Sequence, residues 1–147
     1  MGFFSAMESS ASALTAQRLR MDTISENIAN ASTTRSEEGT PYRRKTVIFE
    51  AQNGNAPFSS YLSKASRELF TNGGVRVSRI VEDQTPFKSV YDPGHPDADE
   101  NGIVEMPNVE VVTEMVNMIS AARAYEASVT AINTSKSMAS KALEIGK

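Results

Sequence analysis

A chain of 147 residues has room for one ordinary domain and hardly for two. Lys plus Arg number 15 against 18 Asp plus Glu, a formal net charge of -3, so the basic excess of a general nucleic-acid binder is missing. With Cys 0, disulfides, thiolate metal sites and cysteine nucleophiles are excluded together.

In chain order, the composition divides into residues 1–38, 39–107 and 108–147. All six prolines and six of the eight glycines fall between 39 and 107, together with seven of the ten aromatic residues. Proline breaks helix interiors and glycine weakens them, so both ends are free to form long helices while the middle carries the turns and rings. In the first segment Met7, Leu14, Met21 and Ile28 recur every seven residues, joined by Phe4, Ala11 and Ile24. This predicts a helix over about 5–31, opened by the capping box Ser5-Ala6-Met7-Glu8. The opening Met1-Gly2-Phe3-Phe4-Ser5-Ala6 has no basic region and no adequate apolar stretch, so no cleaved secretory signal is expected.

The middle segment reads as short strands at 42–50, 74–81, 87–91 and 102–105. Between the first two, Phe58, Tyr61, Leu62, Ala65 and Leu69 share one face of a possible short helix. In the last segment Val111, Met115, Met118, Ala122, Tyr125, Val129, Ile132, Lys136, Ala139 and Leu143 alternate steps of four and three. Nine of these ten are apolar, which predicts a coiled-coil helix, with Asn108 as its cap and Gly146 as its stop. The fold class expected is therefore mainly α with a small β region: two long terminal helices pairing antiparallel around a short β-containing middle. Val112, Val116, Ile119, Met138, Ala142 and Ile145 lie beside the seam, uncovered by the shorter first helix. A long apolar surface of this kind marks an interaction face, and both ends are expected to be largely disordered in the isolated chain and to fold on assembly.

Candidate chemistry is sparse. Asp97-Ala98-Asp99-Glu100-Asn101-Gly102 fits the first half of an EF-hand loop, which gives an alternative reading as a calcium-responsive helical adaptor. The twelfth position is Asn108 instead of a bidentate Glu, and Pro93 and Pro96 forbid the incoming helix, so a solvated acidic turn is the simpler reading. The one histidine, His95, has no nucleophile near it in sequence and reads as a turn residue. Arg43-Arg44-Lys45 reads as a charged blunting of a strand edge. No enzyme, cofactor, metal or nucleic acid is expected, and no apolar run reaches the roughly 18 residues that cross a bilayer, so no membrane insertion either.

Two stretches carry a resemblance. Ile24-Ser25-Glu26-Asn27-Ile28-Ala29-Asn30-Ala31-Ser32-Thr33 resembles the NNLANxNT signature of bacterial flagellar rod and hook proteins, with Gly39, Tyr42 and Arg43 following after a longer polar run, as in the proximal-rod branch. Tyr91-Asp92-Pro93-Gly94-His95-Pro96-Asp97-Ala98-Asp99, then Gly102-Ile103-Val104 and Met106-Pro107-Asn108-Val109, looks like the loop that distinguishes one proximal-rod branch. The likeness covers nearly the whole chain except about 51–73, which reads as an insertion.

The resemblance implies a structural subunit of the proximal rod of the flagellar basal body. Such a subunit would pass through the flagellar type III export apparatus without signal cleavage and assemble helically in the periplasm. It would transmit torque and form part of the export-channel wall. Its partners would be other rod subunits, copies of itself and the export apparatus. The expected assembly residues are Leu14, Met21, Ile24, Asn27, Ile28 and Asn30 on the first helix, and Val111, Met115, Met118, Tyr125, Val129, Ile132 and Leu143 on the last. For Asn27 to Asn30 two roles stand side by side: an ordinary helix end, or amides bonding across subunits.

Overall fold

A computed structural model describes residues 3–36, 39–52 and 73–145. Its described elements are helix α1 (Phe3–Ala29), strands β1 (Lys45–Gln52), β2 (Gly74–Glu82), β3 (Lys88–Tyr91) and β4 (Ile103–Met106), and helix α2 (Val111–Ile145). The fold is mainly helical with a small β part, as the composition implies. The candidate helix at 58–70 and the stop at Gly146 lie outside the described residues.

The strands form two two-stranded sheets, β1 with β2 and β3 with β4. The β3–β4 hairpin is antiparallel and pairs Lys88 with Met106, Ser89 with Glu105, Val90 with Val104, and Tyr91 with Ile103. Val104 points into the core at 2% exposure, while its partner Val90 is exposed. The long turn between these strands is knitted by Asp92 N–H to Gly102 O at 2.9 Å, Asp99 N–H to Ile103 O at 2.9 Å and Gly102 N–H to Asp99 O at 2.8 Å. Gly102 sits at φ 73, where a side chain is strained, and a Cβ there would lie 3.0 Å from the Tyr91 ring and 3.1 Å from Pro93 Cβ. No larger residue fits without moving the turn.

Two compact units share the chain, and each long helix contributes to both. Residues 1–19, 49–78 and 122–147 belong to one, residues 20–48 and 79–121 to the other. The start of α1 thus groups with the end of α2, and the end of α1 with the start of α2, an antiparallel order. In the first unit Ser12 Oγ accepts the Val75 N–H at 3.0 Å, and β2 approaches so closely that a Cβ on Gly74 would meet that hydroxyl at 2.9 Å. The pair Arg76–Glu50, at 3.0 Å, lies on the exposed surface of the same unit.

Two helix starts differ from expectation. Helix α1 begins at Phe3, so Ser5 lies inside its first turn and is not a cap. Asn108 does not cap α2 either, because its side chain is spent elsewhere, accepting the Arg44 N–H at 2.8 Å and donating to Asp83 O at 3.0 Å and Thr85 Oγ1 at 2.9 Å. The first turn of α2 closes instead through Glu114 N–H to Glu110 O at 2.9 Å.

Helix α2 keeps the expected period, and its covered stripe is broader than the expected seam. The buried or half-buried positions are Glu114, Asn117, Met118, Ala121, Ala122, Ala124, Tyr125, Ser128, Val129, Ile132, Ser135 and Ala139. Six of them, Met118, Ala122, Tyr125, Val129, Ile132 and Ala139, belong to the expected seam. Glu114, Ala121, Ser128 and Ser135, each one residue before a seam member, are small or polar and are covered as well. On α1 the covered track includes Ser9, Ala16 and Thr23, seven residues apart.

Candidate functional site

Two features of the second unit stand out: a buried polar clasp and an uncovered apolar face. The clasp is built on Asn27, at 0% exposure near the end of α1, and Glu114, at 1% on the first turns of α2. A buried polar side chain is costly unless its hydrogen-bonding capacity is met, and here it is met in full. The Asn27 amide nitrogen donates to Lys45 O at 2.8 Å and to Glu114 Oε2 at 2.9 Å. Its oxygen accepts the Lys45 N–H at 2.8 Å and the Tyr42 hydroxyl at 3.0 Å.

The other Glu114 oxygen, Oε1, accepts from Arg44 Nη2 at 2.7 Å and Nε at 3.0 Å. Arg44 also reaches Asp83 Oδ2 at 3.4 Å, on the segment after β2. Burial alone would lower the Arg44 pKa, but hydrogen bonding to Glu114 and its charge, with Asp83 adding, raise it above its ordinary value. The Asp83 carboxyl is held below its ordinary range first by the backbone N–H of Thr85, then by the Thr85 hydroxyl and Arg44. The phenol of Tyr42 is pushed up to about 12, first by burial and then by the charges of Glu26, Glu114 and Glu82. The clasp ties the end of α1 and the start of α2 to the strand entry at Lys45.

The uncovered face is on α2. Val112 is 70% exposed, Val116 61%, and Met115 and Ile119 each 54%. These four recur at helical spacing on one side, opposite Glu114 and Ala121. Beyond Ile119 the same side turns polar, through Arg123, Thr130, Ser137 and Lys141. Val112, Val116, Ile119, Met138, Ala142 and Ile145 are all exposed, as expected from sequence.

The expected assembly residues divide by burial. Ile24 and Asn27 are buried. Leu14, Met21, Ile28, Asn30, Met118, Tyr125, Val129 and Ile132 are half-buried, and Val111, Met115 and Leu143 are exposed. Asn27 spends its whole amide within the chain, and Asn30 bonds Glu26 O at 2.9 Å and accepts the Thr33 hydroxyl at 3.2 Å. Sequence reasoning missed the clasp roles of Tyr42, Arg44 and Glu114. A charged residue on an otherwise apolar helix, facing an arginine that precedes a strand, is the one signal that could have suggested the pair. Arg43 stacks on Phe87 with its guanidinium 4.3 Å from the ring centre, so the basic triplet does more than blunt an edge.

The calcium-adaptor alternative finds no support in this arrangement. The Asp97 carboxylate accepts the Thr34 hydroxyl at 2.8 Å and lies 3.5 Å from Arg35. Among the described residues no three His, Cys, Asp or Glu side chains cluster as metal ligands would. His95 accepts the Asp97 N–H on Nδ1 at 3.1 Å, a turn contact. No described helix is long and apolar enough to cross a membrane.

The comparisons with known proteins agree at both ends of the chain. Residues 7–35 match the family described as flagella basal body rod protein, and residues 100–145 match the flagellar basal body rod FlgEFG protein C-terminal family. The flagellar basal-body rod protein FlgC of Borreliella burgdorferi is 51% identical over 152 residues, covering 99% of this chain and 98% of that one. FlgC of Bacillus subtilis is 50% identical, with 98% of each chain covered. FlgC of Aquifex aeolicus is 38% identical, covering 100% of this chain and 99% of its own. At these identities over nearly the whole chain, the protein belongs to the FlgC family of flagellar basal-body rod proteins, a family of structural rod components and not of enzymes.

Proposed function

We propose that this chain assembles helically in the proximal rod, through the outward faces of its terminal helices, among other rod subunits and copies of itself. In that position it transmits torque and forms part of the wall of the export channel, having passed through the flagellar export apparatus without removal of a signal. The observation that carries the reading is the apolar side of α2 formed by Val112, Met115, Val116 and Ile119, each more than half exposed. Contiguous exposed apolar faces rimmed by polar residues mark interaction sites on soluble proteins. Contacts that are heterologous and do not close build helical filaments, which suits a rod. The half-buried flank of α1 with Leu14, Met21, Ile28 and Asn30, and the α2 positions Met118, Tyr125, Val129 and Ile132, would border the same contacts, and Val111 and Leu143 would extend them.

Val116→Asp tests this. The side chain is 61% exposed, so the substitution should change the stability of the isolated chain by no more than about 0.5 kcal/mol. It should nevertheless exclude the protein from isolated basal bodies and leave cells non-motile at normal expression. A motile strain with the variant present in its rods would overturn the proposed contact.

A further inference from the structure

We propose that Glu114, held by Asn27 and Arg44, is a positioning residue that fixes the rotation of the first turns of α2 about their own axis, and so keeps Val112, Met115, Val116 and Ile119 turned outward. This role rests on that face being the assembly contact, and every group it invokes lies within the unit of residues 20–48 and 79–121. In residues 111–121, Val111, Val112, Met115, Val116, Met118 and Ile119 fall on one arc of the helix centred near Met115, and Thr113, Asn117 and Ser120 fall across from it. Apolar burial alone would therefore turn Met115 inward and leave Glu114, roughly 100° round the axis, at the rim. The observed order is the reverse. Glu114 is 1% exposed and Ala121 0%, while Met115 and Ile119 are each 54% exposed. A carboxylate holds the covered place, and large apolar side chains stay outside it.

Polar contacts supply what apolar burial does not. Glu114 Oε2 accepts from the Asn27 amide at 2.9 Å, and Oε1 accepts from Arg44 Nη2 at 2.7 Å and Nε at 3.0 Å. Asn117, one turn on, adds a donor to Oε1 at 3.4 Å. Arg44 is itself held from outside α2. Its N–H donates to Asn108 Oδ1 at 2.8 Å, its carbonyl accepts the Asp83 N–H at 2.8 Å, and its guanidinium reaches Asp83 Oδ2 at 3.4 Å. Turning Met115 inward would carry the Glu114 carboxylate away from Asn27 and Arg44 together. A buried amide and a partly buried cation would lose their partner, which is strongly destabilising for such groups. Buried polar residues that select one arrangement among apolar alternatives are the best-attested use of such groups.

With Cys 0, single thiols report the rotation in the full chain. Ile119→Cys places a thiol on the outward side, and Ala121→Cys places one on the covered side. In the otherwise unaltered dilute chain, a maleimide should label Ile119→Cys faster than Ala121→Cys by roughly 100-fold or more, because a buried thiol reacts only through local opening. Glu114→Ala with Arg44→Gln then removes both charges together and adds no apolar bulk to the covered side. Helical circular dichroism should be retained. In that background Ile119→Cys should label more slowly by roughly tenfold and Ala121→Cys faster, as apolar burial draws Ile119 in and turns position 121 out. If Ile119→Cys labels as fast as before, packing sets the rotation and the role is overturned. Loss of the helical signal would make the three residues a stability element instead, with the same consequence. So would equal labelling of the two thiols in the unaltered chain. Labelling needs no assembly, so none of these outcomes bears on the fate of Val116→Asp in rods, which tests the face itself.

Discussion

Asn27 makes four hydrogen bonds with a side chain whose capacity is four, which is why it tolerates zero exposure. The tyrosine that supplies one of those bonds carries a pH dependence. The unfolded chain gives up the Tyr42 proton near the ordinary value of 10.0, whereas the folded chain holds it until about 12, chiefly because the phenol is partly buried and faces Glu26 and Glu114. A folded pKa above the unfolded one means that the native state binds more protons in that interval. The stabilising contribution is therefore complete below pH 10 and is lost as pH rises through 12. Tyr42→Phe should flatten the fall of unfolding free energy across that window and cost about 1 kcal/mol at neutral pH, the worth of the bond to Asn27. Denaturant titrations at several alkaline pH values, read beside the ultraviolet phenolate absorbance, check both. An unchanged alkaline slope in the variant would show that Tyr42 is not the responsible group.

The two long helices show what periodicity conveys and what it leaves out. Proline-free ends with heptad spacing placed α1 and α2 within a few residues of their bounds, and six of the twelve covered positions of α2 (Met118, Ala122, Tyr125, Val129, Ile132, Ala139) are seam members. The full width of the covered stripe was not legible. An apolar count prefers Met115 to Glu114 and passes over Ser128 and Ser135, because it cannot register that close helix approach rewards small side chains, or that a glutamate can be buried once an arginine meets it. That arginine is 70 residues away, and the Asn27 that meets the same carboxylate is 87 residues away, beyond any local pattern. The strands were readable from alternation and their turn residues, whereas Asn108, apparently a helix cap, is drawn off by Asp83 and Arg44 from other elements. If small size is what the seam requires, then Ala121→Leu, at 0% exposure, should destabilise the chain by about 1–3 kcal/mol although it adds apolar surface. Thermal unfolding measures this, and an equal or higher midpoint would mean that the seam has slack and that closeness is not the constraint.

At the scale of the whole molecule, burial is unevenly shared. Among the described residues, Thr23, Ile24, Asn27, Val104, Pro107, Val109, Glu114 and Ala121 are buried in the unit of residues 20–48 and 79–121, while Ala16 is the buried non-glycine residue described in the other unit. Helical stability in proteins comes mainly from packing of a covered face, and a helix can be stable along one part and open along another. The clasp adds charge-assisted bonds near the C-terminal end of α1 and the N-terminal end of α2. It follows that in the isolated chain the backbone amides of 20–29 and 111–121 should exchange with solvent more slowly than those of 5–15 and 126–145. The opening free energies of the two sets should differ by about 2 kcal/mol or more, since local openings range from near zero up to the global value. In assembled rods a neighbour that covers the outer halves binds the ordered form alone, so the difference should shrink. Hydrogen exchange read by mass spectrometry on the dilute chain and on isolated basal bodies gives both comparisons. Uniform protection along α1 and α2 in the dilute chain would mean that the far halves hold themselves without neighbours, and that assembly adds contacts without adding order.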